Sequence, residues 1–150
     1  MHLKPRNPAA ILVIDDDPLT LTALAAMLHL AGNECHCARD CEAAVKAARS
    51  LKPDLIVCDI DLDGENGLDL CRELKQKHGL EDVPVVFLSS AESPDIVQRA
   101  REAGGSYYVR KPFDPEVLVE LADKAMWMPH LVNTRIQRMR IEPVPSGELG

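Results

Sequence analysis

A chain of 150 residues with 46% hydrophobic side chains is long and apolar enough for one globular domain with a substantial core. Its formal net charge of −7 disfavours nucleic acid or an anionic membrane as a direct partner and suits a protein that meets a cation or a basic protein surface. No apolar run reaches the length of a signal peptide core or a membrane span, so a cytoplasmic protein is expected.

The first element is the β-branched run "AILVI" (10–14), which predicts a buried strand. It ends in three consecutive aspartates, Asp15, Asp16 and Asp17. Asp17-Pro18 reads as a helix N-cap with proline at the first helical position; Leu21, Leu24, Ala25 and Leu28 follow at helical spacing, and Gly32 ends the helix. "ECHCA" (34–38) reads as a short buried strand. Its Cys35 and Cys37 lack the second pair that a zinc site needs. With Cys41, Cys58 and Cys71 the cysteine count is odd, and all are read as reduced thiols. Asp40 caps a second helix carrying Ala44, Val45 and Ala48. "DLIVCDI" (54–60) predicts a strong buried strand, and Gly64 and Gly67 a loop. A third helix follows through Leu68, Leu70, Cys71 and Leu74. Pro84 opens the strand "VVFLS" (85–89), and Ser93-Pro94 opens a fourth helix that ends at Gly104-Gly105. "YYV" (107–109) is the fifth strand, and Asp114-Pro115 starts the fifth helix. Residues 127–150 lose the pattern. Prolines, Arg135, Arg138 and Arg140 and a Gly/Ser/Pro-rich end predict a tail or linker, without a second domain.

Five strand–helix units in succession predict a parallel sheet covered by helices on both faces, with a ligand site outside the carboxyl ends of the strands. At those ends stand Asp15 and Asp16, then Asp59, then Ser89 and Ser90, then Lys111. Two or three like-charged carboxylates on one spot call for a cation. An oxygen-only donor set selects a hard ion such as Mg²⁺. The metal, Lys111 and the Ser89 hydroxyl can each take one oxygen of a phosphoryl group, and Asp59 can attack its phosphorus to form an acyl phosphate.

The stretches "ILVIDDDP", "PDLIVCDIDLDGENG", "VPVVFLSSA" and "YYVRKPFDPEVL", in that order, resemble the receiver domain of bacterial two-component response regulators over residues 9–126. The resemblance implies a flavodoxin-like (βα)5 doubly wound sheet of order 2-1-3-4-5. It implies that Asp59 accepts a phosphoryl group from a sensor histidine kinase or a histidine phosphotransfer protein, and that the switched conformation regulates an output partner or domain. It also implies Mg²⁺ held by Asp15, Asp16, Asp59 and the backbone carbonyl of Asp61, with Lys111 on the phosphoryl group and a cis bond to Pro112. Ser89 and Tyr108 would be the switch pair. A homodimer through the face of the fourth helix, fifth strand and fifth helix is compatible with it. Such a protein is a phosphoacceptor that assists its own phosphorylation and dephosphorylation, not an enzyme acting on a separate substrate. Three positions depart from the family pattern. Asp63 replaces a common proline, which should loosen the loop after the third strand; Ser90 stands where alanine is usual; and Gly105-Ser106-Tyr107 replaces a more acidic run.

Two rival readings fit the sequence less well. "DIDLDG" resembles the Asp-x-Asp motif of haloacid-dehalogenase-like phosphatases, but that motif ends the first strand of its fold, and Asp59 ends the third. A docking module that works without phosphorylation would not need Asp15, Asp16, Asp59, Ser89 and Lys111 together.

Overall fold

The computed structural model describes residues 8–91 and 93–127. The chain runs β1 (Ala10–Ile14), α1 (Pro18–Leu30), β2 (Glu34–Ala38), α2 (Cys41–Leu51), β3 (Leu55–Asp59), β4 (Asp61–Leu62), β5 (Glu65–Asn66), α3 (Gly67–Lys77), β6 (Val85–Ser89), α4 (Ile96–Glu102), β7 (Tyr107–Arg110) and α5 (Pro115–Trp127). Strands β2-β1-β3-β6-β7 form one parallel sheet, while β4 and β5 pair antiparallel as a small hairpin. With the hairpin set aside, this is the expected 2-1-3-4-5 order.

Side-chain alternation in the strands divides the core in two. Leu12, Ile14, Ile56, Cys58, Val85 and Phe87 face α2, α3 and α4. Ile11, Val13, Leu55, Val57, Val86 and Leu88 face α1 and α5. The three central strands are buried on both faces, which explains their unbroken apolar runs.

Helix starts follow the capping chemistry. The Asp17 carboxylate accepts the Leu19 N–H, that of Asp40 the Ala43 N–H, and the Asn66 side-chain oxygen accepts the N–H groups of Leu68 and Asp69. Asp114 accepts the Glu116 N–H at the start of α5.

Four expectations need correction. β2 is not buried. Among the described residues it is the end strand of the sheet and pairs only with β1, so Cys37 is exposed and Cys35 half-buried. α4 begins at Ile96 rather than at Ser93-Pro94. The Ser93 hydroxyl donates to the Asp95 carboxylate, and Asp95, at the N-cap, makes no side-chain capping bond to the helix. Gly67 is the first residue of α3 and not part of a loop. A Cβ there would lie 2.2 Å from the Asp59 carbonyl oxygen, so the close approach of α3 to the end of β3 demands glycine. The residues between Asp59 and Gly67 are not a loosened loop. Asp63 (φ 50°) and Gly64 (φ 90°) form the two-residue tip of the β4–β5 hairpin, and both need positive φ. Proline, fixed near φ −65°, could not occupy position 63. The expected tail falls, from residue 128 on, outside the described residues.

Candidate functional site

Each site residue is carried to the sheet's carboxyl edge by its strand. β1 ends in Ile14, so Asp15 and Asp16 emerge beside the Asp59 end of β3. Backbone pairing continues past the strand ends. The Asp15 N–H donates to the Ala38 carbonyl (3.1 Å), the Ile60 N–H to Leu88 (2.8 Å), and the Lys111 N–H to Ser89 (2.8 Å). These bonds fix the loops that hold the polar groups.

Carboxylate oxygens of Asp15, Asp16 and Asp59 all lie within 4.8 Å of one another. The Lys111 ammonium sits between two of them, 2.9 Å from Asp15 Oδ2 and 2.9 Å from Asp59 Oδ2. The other Asp15 oxygen accepts the Asp17 N–H at 2.9 Å, and Asp59 Oδ1 accepts the Asp61 N–H at 3.0 Å. The backbone of Asp61 therefore lies directly against the Asp59 carboxylate. Asp15 and Asp59 are 0% and 5% exposed, so this charge is held away from bulk water. Ser89 is 1% exposed; its oxygen accepts the Ala91 N–H at 2.9 Å, which leaves the hydroxyl proton for another acceptor.

The electrostatics follow from burial and crowding. Burial pushes the Asp59 carboxyl above its ordinary value, more than the Lys111 and Asp61 hydrogen bonds pull it down. Asp16 is also raised, by desolvation first and then by the charges of Asp15 and Asp63. Desolvation would lower the Lys111 ammonium, but the hydrogen bonds to Asp15 and Asp59 outweigh it and hold the group above an ordinary lysine. Three carboxylates facing one ammonium leave negative charge uncompensated, and all the donors are oxygen. The residues thus fit a hard divalent cation.

Tyr108 is not part of this group. It sits half-buried on β7, packed against the core cluster on the α4 side and in register with Phe87. Tyr107 packs against the opposite cluster. The Lys111–Pro112 bond is cis. Sequence reading missed Glu65, whose side chain reaches from the hairpin to the start of α2 and accepts the Cys41 N–H at 3.0 Å. No local signal marks a contact between residues 24 apart in the chain.

Comparison with known proteins places this geometry. Residues 11–123 match the family described as "Response regulator receiver domain". The chain belongs to the response regulator receiver domain family. Among curated relatives, the DNA-binding response regulator MtrA of Mycolicibacterium smegmatis is 35% identical over 140 residues, covering 93% of this chain and 56% of MtrA. The receiver chain spans about half the length of the curated relatives it matches. Among solved structures, NtrX of Brucella abortus is similar with a TM-score of 0.77 and 29% identity, over 89% of this chain and 30% of that one. The chemotaxis response regulator CheY4 of Vibrio cholerae, at 24% identity, shares the fold with a TM-score of 0.73 over 79% of this receiver and 98% of CheY4. Among the described residues, no helix is long and apolar enough to cross a membrane.

Proposed function

We propose that this receiver is a phosphorylation switch in which Asp59 takes a phosphoryl group from a phosphohistidine of a sensor histidine kinase or histidine phosphotransfer protein. The observation that carries the reading is the convergence of Asp15, Asp16, Asp59 and Lys111 at the carboxyl edge of the sheet. In the transfer an Asp59 oxygen forms the new P–O bond while the donor's P–N bond breaks, and the departing imidazole keeps the electron pair and picks up a proton. Lys111, already bonded to Asp59, turns its charge to a phosphoryl oxygen as the carboxylate becomes an acyl phosphate. The Ser89 proton is available for a second oxygen.

Asp15, Asp16, Asp59 and the Asp61 backbone carbonyl would hold Mg²⁺. The ion would supply charge neutralisation for the incoming phosphoryl oxygens. Ser89 moving toward the phosphoryl group would free space for Tyr108 to turn inward, changing the surface of α4 and β7 that an output partner reads. MtrA is described as DNA-binding, but the match covers only 56% of it. With a net charge of −7, this receiver is read as acting through protein partners in the cytoplasm, not by touching nucleic acid.

Incubation with acetyl phosphate and Mg²⁺ should add one phosphoryl group, seen by intact mass, and Asp59→Asn should abolish it. Under beryllofluoride and Mg²⁺ the Tyr108 ring resonances should shift. Equal phosphoryl incorporation into Asp59→Asn would overturn the assignment, and unmoved Tyr108 resonances would remove the switch role.

A further inference from the structure

The β4–β5 hairpin separates Asp59 from α3 and carries Asp61. One side of it is anchored by Leu62, which is 1% exposed, and its base is closed by the Gly67 N–H donating to the Ile60 carbonyl at 2.7 Å. Its outer strand has a different tether. Glu65 Oε1 accepts the N–H of Cys41, the first residue of α2, at 3.0 Å. The Asp40 side chain caps the Ala43 N–H, so Glu65 satisfies a separate unpaired donor of the same helix end. A carboxylate at a helix N-terminus is also favoured by the helix dipole. Burial, together with the Glu65 carboxylate, pushes the Cys41 thiol up to about 12. Beside the tether lies a cleft of about 290 Å³ bounded by Asp16, Arg39, Asp40, Asp63 and Glu65, so the contact forms one wall of the approach to Asp16.

We propose that Glu65 is a positioning residue. By latching the hairpin to the N-terminus of α2, it holds the Asp61 backbone against the carboxylate cluster in the geometry that a divalent cation needs. This role rests on the metal reading given above. The alternative cause of any effect is charge. Glu65 could raise cation affinity simply as one more nearby anion. Glutamine separates the two, because its amide oxygen accepts the same N–H without the charge.

The test is calorimetric titration of the full chain with Mg²⁺ alone at physiological ionic strength, for wild type, Glu65→Ala, Glu65→Gln and Asp16→Ala. Iodoacetamide labelling of Cys41, read by peptide mass mapping, reports the latch itself. Glu65→Ala should weaken Mg²⁺ binding by about fivefold or more, a modest instance of the loss seen when a ligand's supporting group is removed. It should also speed labelling of Cys41. Glu65→Gln should stay within about twofold of wild type in affinity. If Glu65→Gln loses as much as Glu65→Ala, charge is the cause and the latch is overturned. It is equally overturned if Glu65→Ala binds Mg²⁺ normally while Asp16→Ala does not. Normal binding by Asp16→Ala would overturn the metal reading itself.

Discussion

Ala91 and Asp61 show how much a single residue can set in this receiver. Under the proposed reading, the signal ends when water attacks the aspartyl phosphate in line, opposite the Asp59 oxygen. Asp61 is exposed, and its N–H is bonded to Asp59. Ala91 is exposed, and its N–H is bonded to Ser89. Both side chains therefore rise from backbone fixed against the site. Asp61 can orient a water but also repels the phosphoryl dianion. Ala91 is too small to shield phosphorus. A phosphoryl lifetime of roughly seconds to minutes is expected, and Ala91→Arg should lengthen it about tenfold, equivalent to about 1.4 kcal/mol of barrier. Phosphate release at saturating Mg²⁺ measures this, and an unchanged rate would show that access at position 91 does not limit hydrolysis. At this scale the grouping of Asp15, Asp16, Asp59 and Lys111 was legible in the sequence, because parallel strands of similar length must bring their carboxyl ends together. The bridging of Asp15 and Asp59 by one ammonium was not, because it depends on a lysine side-chain conformation that no spacing encodes. Glu65 was illegible for a related reason, since its partner lies on a helix three elements earlier.

Elements were legible where the chain has only one way to satisfy its backbone. β1, β3 and β6 are continuous apolar runs that can only be central strands, and the Asp-Pro and Asp-Cys pairs at the starts of α1 and α2 are functioning caps. Reading failed where two local signals competed. Ser93 takes the side chain of Asp95 for itself, and α4 is left with seven residues and no side-chain cap. It failed again at residues 60–67, where Asp63-Gly64 between short polar strands looks like an ordinary loop. The hairpin makes a prediction that separates the two readings. If the missing family proline merely loosened a loop, Asp63→Pro should stabilise the protein by reducing the freedom of the unfolded chain. Because Asp63 has φ 50°, the ring cannot be accommodated. Asp63→Pro should instead destabilise the fold by roughly 1–3 kcal/mol, the usual scale of such backbone strain. A raised urea midpoint for this variant would show that the hairpin tip is not held as described.

For the whole molecule, the apolar core must support a charged edge. The central strands of the sheet are buried on both faces, and at their ends they hold Asp15 and Asp59, which are nearly inaccessible to water. Burying ionised carboxylates opposes folding, and the Lys111 hydrogen bonds only partly offset this, since Asp59 remains raised with Lys111 beside it. A carboxyl whose folded pKa lies above its unfolded value of about 3.8 keeps its proton in the folded chain after the unfolded chain has lost it. Its contribution to stability is therefore complete below about pH 3.8 and is lost as pH rises through the folded value. Asp59→Asn puts a neutral group at the same place at every pH. In the absence of divalent cation, the variant should gain stability relative to wild type as pH rises from about 4 to about 7. Comparing the pair removes the opposing slopes of exposed groups such as Asp17 and Asp95, whose carboxyls are lowered by side-chain hydrogen bonds to Thr20 and Ser93 and are common to both proteins. A divalent cation that binds the ionised cluster reverses the relation, because it stabilises the folded wild type by mass action and finds one ligand fewer in the variant. Urea midpoints of the two proteins across this pH range, with and without saturating Mg²⁺, make the check. A stability difference that does not move with pH in the absence of metal would mean that Asp59 is not held out of water by the sheet edge.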